Sequence, residues 1–182
     1  MSVLYRKARP SDIQGIWKVI GKSLDDSYKK FDKNPLKLGA ALKSGINVDC
    51  FYVAIMDNMF LIGVLGISSI NKNAVEPKLK SFIGSFGVIK GIRNYNIFKK
   101  SNLVPIKLND LSAYVHYACV LKEHQKHGVF KQMLAKALSD LKYYDYYASA
   151  PKYDLTYKEI MTHLSFNNFE ERKDKFILIR RK

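Results

Sequence analysis

Residues 121–134, LKEHQKHGVFKQML, concentrate side chains that could do chemistry immediately before a predicted helix. Glu123, His124, Lys126 and His127 surround one glycine, Gly128, and the apolar residues that follow recur at helical spacing. A carboxylate and two imidazoles could hold a metal ion or move protons. A lysine and a glycine in front of a helix could instead bind an anion. Three kinds of site are therefore open: metal, acid–base and anion.

The flanking sequence favours the anion site. His124 and His127 lack a second cluster of Cys, His, Asp or Glu at a spacing typical of zinc ligands, so we expect no metal site. A loop that enters a helix exposes several unpaired backbone N–H groups at the positive end of the helix dipole. A glycine at that point allows a phosphate to approach the main chain, so we interpret the segment as a phosphate-binding loop.

Regular elements must position this loop. Residues 113–121, AYVHYACVL, are β-branched and aromatic and predict a strand, and residues 129–141 predict an amphipathic helix. Upstream, the patterns indicate a short strand, a helix after Asp12 and a hairpin of two strands separated by Asp57-Asn58. Downstream, they indicate a strand at 143–150, a helix at 154–164 and a strand at 175–180. Residues 71–110 show the least regular pattern.

Composition limits the partners. The chain has 182 residues, with 31 Lys and Arg against 16 Asp and Glu, for a formal net charge of +15. This excess favours an anionic partner such as a phosphorylated cofactor, a nucleic acid or an acidic surface, although a solvated lysine face is the more frequent cause of charge this scattered. Cys50 and Cys119 lie in apolar runs without a CxxC spacing and predict buried, reduced thiols. With no apolar signal segment and no membrane-spanning run, we expect a cytoplasmic protein with no membrane partner.

Two segments of the sequence, the loop at 125–130 and residues 163–172, resemble a known family. Val120 followed by Gln125-Lys126-His127-Gly128-Val129-Phe130 is similar to the Q/R-x-x-G-x-G/A motif of the GNAT superfamily of acetyl-CoA-dependent N-acetyltransferases. Residues 163–172, HLSFNNFEER, resemble the family's LGF ending, with Ser165 in place of the glycine. The resemblance implies an α+β fold, with a central, mostly antiparallel mixed sheet of six to seven strands flanked by helices. It also implies one domain over residues 1–182, with an irregular insertion at 71–110.

The resemblance implies acetyl-CoA as cosubstrate and assigns residues to it. The amides of the loop would hold the pyrophosphate, and the backbone near Val120 and Leu121 would pair with the pantetheine arm. Phe130 stands where the family usually has Gly or Ala, and Asp154 stands where it often has an asparagine. The implied cofactor-binding residues are therefore Val120, Leu121, Gln125, Lys126, His127, Gly128, Val129, Phe130 and Asp154.

The catalytic candidates follow from the same resemblance. One branch of the family, acting on arylalkylamines, places two histidines on the strand before the loop, at positions that correspond here to Tyr114 and His116. His116 is the candidate base, because imidazole titrates near neutrality, and a structural histidine is the alternative. Met161 occupies the position of the family's acid tyrosine. Tyr157, four residues earlier on the same helix face, is the candidate substitute, and a core tyrosine is the alternative and more frequent role. Apart from any bulge, strand alternation would place Tyr114, His116 and Ala118 on one face and Val115, Tyr117 and Cys119 on the other.

Three hypotheses for function result. The leading one is an N-acetyltransferase that moves an acetyl group directly to a primary amine on a small molecule or peptide. The second is a coenzyme A-binding protein without turnover, suggested by Phe130 and Met161. The third is a basic acyltransferase or binder associated with nucleic acid, whose binding should fall steeply with salt. The sequence does not indicate the oligomeric state, although homodimers are common in families of this kind and a homodimer is one of the assemblies left open.

Overall fold

A computed structural model describes residues 2–23, 31, 32, 34–57, 59–153 and 155–181. One mixed sheet forms the centre. Its seven strands are β1 (Val3–Lys7), β2 (Phe51–Met56), β3 (Phe60–Ser69), β4 (Ser112–Val120), β5 (Asp145–Pro151), β6 (Asn167–Glu171) and β7 (Lys175–Arg181). They lie in the order β1-β2-β3-β4-β5-β7-β6. Every neighbouring pair is antiparallel except β4 and β5, which are parallel. The predicted α+β fold with a mostly antiparallel sheet of six to seven strands is confirmed.

Helices cover both faces of the sheet. They are α1 (Ile13–Ser23), α2 (Pro35–Leu42), α3 (Leu79–Phe86), α4 (Val88–Ser101), α5 (Val129–Asp140) and α6 (Leu155–His163). One hydrophobic cluster joins α5 and α6 to the sheet through buried residues such as Leu65, Val115 and Met133. A second hydrophobic cluster, on the opposite face, joins the four helices α1, α2, α3 and α4 to the sheet through buried residues such as Ile16 and Phe82. No helix in the described ranges is long and apolar enough to cross a bilayer.

The predicted strand, loop and helix order around residues 113–181 is confirmed, and the ends of the elements move by two residues or fewer. Two differences have clear causes. Residues 71–110 were predicted as irregular, but they contain α3 and α4. The prediction missed these helices because three glycines weaken the helical pattern of the segment. One of the three, Gly87, has a φ of +79° and separates the two helices. Strand β6 was not predicted, because all five of its residues are exposed and it has no apolar face.

Candidate active site

The central feature of the candidate site is a gap between two parallel strands. β4 and β5 pair from Ser112 with Asp145 to Val115 with Ala148, and the pairing ends there. β4 nevertheless continues to Val120 and β5 to Pro151. The two strands therefore diverge beyond Val115, and among the described strands the facing backbone groups of β4 have no partner on that side. Such an edge can pair with an extended ligand.

A β-bulge at His116 shapes the face of β4 beside this gap. Opposite it on β3, Gly66 pairs with Tyr117 and the next residue, Ile67, pairs with Val115, so His116 is the extra residue. The bulge interrupts the predicted alternation, which is wrong at three positions, Tyr117, Ala118 and Cys119. Tyr117 belongs to the cluster on the side of α1 to α4 and its ring stacks on that of His116, whereas Ala118 packs with Val115 on the side of α5.

His116 is held as a neutral ring. Its Nδ1 lies 3.0 Å from Oγ of Ser68, and the backbone of Asn102 hydrogen-bonds the ring. The ring of Tyr117 stacks on it with centroids 4.8 Å apart. Burial lowers the pKa of His116 to about 4, although the bond to Asn102 opposes this shift. At neutral pH the imidazole is therefore uncharged and only weakly basic.

Tyr114 bridges the two diverging strands. Its hydroxyl lies 2.5 Å from Oγ of Ser149 on β5, one residue beyond the last paired position. Its ring meets His116 edge to face, with centroids 5.5 Å apart. Burial raises the pKa of Tyr114, so the hydroxyl stays protonated and can donate a hydrogen bond. Two of the predicted catalytic residues, Tyr114 and His116, are therefore in contact.

A cavity of about 250 Å³ opens beside these rings. Its wall includes Tyr114, His116, Ser149 and Lys175, together with the end of α4 at 101–103. Because α4 and Tyr117 belong to the cluster on the side of α1 to α4, the cavity lies on that face of the sheet. Helix α5 packs on the other face of the sheet, and the gap between β4 and β5 lies between that helix and the cavity.

The loop at 125–130 has the geometry of an anion site. Lys126 and Gly128 both have positive φ, 65° and 75°, and Gly128 directly precedes α5. Among the described residues, no hydrogen-bond acceptor is found for the backbone N–H groups of residues 126–131. The first amide of α5 that has an acceptor is that of Gln132, which donates to the carbonyl of Gly128. Six successive amides at a helix N-terminus are therefore available to an anion. His127 and the side chains of Gln125 and Lys126 are exposed.

The end of β4 is tied to this loop. Nε2 of Gln125 donates to the carbonyl of Val120 at 3.0 Å. The N–H of Leu121 donates to Ile62 on β3, so this group is engaged inside the sheet. In an antiparallel ladder the neighbouring residue then directs its N–H away from β3. Val120, and by the same alternation Ala118, therefore present backbone N–H groups to the gap.

The remaining predicted site residues lie around the start of α5. Val129 is buried, and the ring of Phe130 packs against that of Tyr157 on α6 with centroids 5.9 Å apart. Met161, at the expected acid position, is fully buried in the core. Asp154 lies outside the described residues. The structure therefore brings Tyr157 to the first turn of α5, whereas Tyr114 and His116 lie together at the gap.

Several residues of the cavity were missed in the sequence. Asn102, Ser149 and Lys175 line the cavity, and Ser68 contacts His116 from behind it; the four come from distant segments and belong to no motif. The only local signal was the hydrophilic position of Ser149 in an otherwise apolar run. Cys119 also lines the cavity, and burial raises the pKa of its thiol to about 12.

Comparison with protein-family models and with curated proteins finds no match for the sequence. Solved structures do match. The PaiA N-acetyltransferase of Thermoplasma acidophilum, solved with coenzyme A, has a TM-score of 0.61 and 14% identity over 100% of both chains. An N-acetyltransferase of Staphylococcus aureus Mu50 has a TM-score of 0.64 and 13% identity, covering 97% of this chain and 100% of that one. A GNAT-family structure from Desulfovibrio desulfuricans has a TM-score of 0.60 and 12% identity over 99% of each chain. The chain therefore has the GNAT N-acetyltransferase fold.

Proposed function

We propose that this protein is an acetyl-CoA-dependent N-acetyltransferase that moves an acetyl group directly to a primary amine. The observation that carries the proposal is the gap between β4 and β5, which begins beyond Val115 and lies beside a loop with six available backbone amides. An extended arm with a phosphate-bearing end fits this combination, because the edge of β4 offers hydrogen bonds along its length and the loop offers them to an anion.

The residues present fit coenzyme A. The amides of 126–131 would bind its pyrophosphate, and Gly128, beside which a Cβ would meet nothing within 4 Å, leaves open space at the loop. Gln125 holds the loop on β4 through its bond to Val120, whose own N–H would bind the pantetheine arm. Acetyl-CoA supplies an activated acyl group when bound.

The chain's own groups then handle the protons. An attacking amine forms a bond from its nitrogen to the acyl carbon, the carbon–sulfur bond breaks, and one proton leaves the nitrogen while one is needed by the sulfur. We assign the first proton to His116, directly or through water, and the second to the hydroxyl of Tyr157. Since His116 has a pKa of about 4, an amine that is already partly deprotonated is the better acceptor. Tyr114 orients the strands through Ser149.

Calorimetric titration with coenzyme A tests the cofactor assignment. Gly128→Glu puts a carboxylate beside the amides and should abolish binding. Gly84→Glu is the matched control, because Gly84 is exposed, lies in α3 and likewise has open space where a Cβ would be added, with no atom within 4 Å. Binding that is kept in the control and lost in Gly128→Glu supports the proposal. Absence of binding to the wild type, or equal binding in both variants, refutes it.

Turnover is measured separately. Release of free thiol from acetyl-CoA in the presence of a panel of amines shows whether acetyl transfer occurs. Coenzyme A binding without any amine-dependent thiol release would identify the chain as a binding protein and remove the enzymatic part of the proposal. Acetylated amine in the mass spectrum would establish transfer.

A further inference from the structure

We propose that the acceptor of this site is a small primary amine that also carries a carboxylate or phosphate group, and that Lys175 binds that anionic group. This inference rests on the proposed acetyltransferase function and adds the substrate class to it. The acceptor would bind in the cavity beside His116, which is separate from the loop that would hold coenzyme A.

The cavity is polar and carries one kind of charge. Its wall includes the hydroxyls of Ser101 and Ser149 and the amide of Asn102, which can hydrogen-bond a substrate. Lys175 is the one cation among the described residues that line it, and none of them is acidic. His116 adds no charge, because burial keeps its pKa at about 4. The cavity is therefore an electropositive site with neutral hydrogen-bonding groups.

Lys175 has no acidic partner within the described ranges, whereas two nearby cations, Arg172 and Lys152, each form an ion pair with a glutamate of β6. Arg172 pairs with Glu170 at 2.8 Å, and Lys152 pairs with Glu171 at 2.6 Å. The two glutamates of β6 are thus already engaged by other cations. Lys175 begins β7, and its backbone pairs with Pro151 at the end of β5, the strand that forms one side of the gap. Lys175 therefore lines the cavity next to the end of the strand that borders the gap.

The charge selects among amines. A diamine or polyamine would bring a second cation to a wall that holds one cation and no carboxylate, and like charges repel. An amine with a carboxylate or phosphate would pair with Lys175. A volume of about 250 Å³ suits a small molecule.

The test compares amines of matched length on the wild type. The set is 4-aminobutyrate, 3-aminopropylphosphonate, butylamine and 1,4-diaminobutane, assayed by thiol release with acetyl-CoA. The inference predicts that one or both anionic amines have a kcat/KM at least ten-fold above butylamine and that 1,4-diaminobutane is the poorest. Comparing the carboxylate with the phosphonate distinguishes the two anionic groups. A preference for butylamine or 1,4-diaminobutane overturns the inference.

Variants at Lys175 assign the preference to this side chain. Lys175→Met should raise KM for the anionic amine roughly ten- to hundred-fold, as expected for the loss of a hydrogen bond to a charged group, and change kcat less. Lys175→Glu should reverse the order and favour 1,4-diaminobutane. Lys173→Met, an exposed lysine two residues away that does not line the cavity, is the control. Equal kinetics in Lys175→Met and Lys173→Met overturn the assignment.

Failure of this inference is distinguishable from failure of the proposed function. If the wild type does not bind coenzyme A, the proposed function fails. If it binds coenzyme A and acetylates the neutral or cationic amines only, the enzyme assignment stands and the inference is wrong. If it binds coenzyme A and acetylates none of the four amines, the inference is also wrong, because both anionic compounds fit the stated class.

Discussion

Oγ of Ser68 lies 3.0 Å from Nδ1 of His116 and accepts the backbone N–H of Ala74, also at 3.0 Å. Ser68 keeps its own hydroxyl proton and a second lone pair, so it can hydrogen-bond Nδ1 in either tautomer of the ring. The backbone of Asn102 opposes the fall in pKa that burial imposes on the ring. His116 is thus a neutral imidazole that connects β4 to β3 and to the end of α4.

This arrangement predicts an acid-sensitive contribution to stability. The pKa of His116 is about 4 in the folded protein and about 6.5 in the unfolded chain, so the unfolded state binds the proton more readily between these values. The free energy of unfolding should therefore fall as the pH decreases from 6.5 to 4, by up to about 3 kcal/mol from this group. Urea unfolding at several pH values measures it.

His116→Gln isolates the histidine from the carboxylates that titrate in the same range. The variant should lose less stability than the wild type between pH 6.5 and 4. Substitution of the exposed His163 by Gln controls for removal of a histidine elsewhere. Parallel pH dependences in the wild type and His116→Gln would contradict the neutral buried ring.

The same pKa predicts the pH dependence of turnover. If His116 accepts the proton of the amine, its titration should produce a limb near pH 4 in the pH profile of kcat/KM. At higher pH, kcat/KM should follow the deprotonation of the acceptor amine. The midpoint should move with the pKa of the amine when two acceptors are compared. His116→Gln should lower the rate without moving that midpoint. A limb near pH 6.5 that disappears in His116→Gln would show that the ring titrates normally.

The sequence revealed the parts of the site that are continuous in the chain. Residues 125–130 are one loop before one helix, so their spacing alone predicted exposed amides. The bulge at His116 was invisible, because it depends on the register between Gly66 and Tyr117 and rotates one ring to the other face. Lys175 was missed for a related reason: pairing of β5 with β7 brings it to the cavity from a segment whose pattern only indicates a strand.

Tyr157 tests the proposed acid. Tyr157→Phe keeps the ring that packs on Phe130 and removes the hydroxyl, so we expect kcat to fall ten-fold or more with little change in the affinity for coenzyme A. Tyr157→Ala also removes the ring and should lower the free energy of unfolding by about 2 kcal/mol. Tyr153→Phe, at a tyrosine that is 82% exposed, is the control. Unchanged kcat in Tyr157→Phe would exclude the hydroxyl as the acid.

Gln125 tests whether the loop is held in place by β4. Gln125→Ala removes the donor to the carbonyl of Val120, which should weaken coenzyme A binding roughly five-fold, the effect of losing one ordinary hydrogen bond. Gln132→Ala, at an exposed position within α5, should leave the affinity unchanged. Titration calorimetry on both variants measures the difference. Equal affinities would show that the loop keeps its shape without the bond.

Cys119 distinguishes direct transfer from a route through an acetylated enzyme. Its thiol lines the cavity, as a nucleophile would, but burial raises its pKa to about 12. At pH 8 only about one thiol in ten thousand is then ionised, and the thiolate is the nucleophilic form. We therefore expect Cys119→Ala to retain kcat within about three-fold, because the substitution replaces an inert buried thiol by a methyl group. Cys50→Ala, at the other free cysteine, is the control.

Initial-rate kinetics complete this prediction. Varying acetyl-CoA at several amine concentrations should give intersecting double-reciprocal lines, because both substrates are present when the bond forms, whereas an acetyl-enzyme would give parallel lines. Mass spectrometry after incubation with acetyl-CoA alone should find no acetyl group on Cys119. Parallel lines, an adduct at this residue or a hundred-fold loss of kcat in Cys119→Ala with the fold intact would each replace direct transfer with a two-step route.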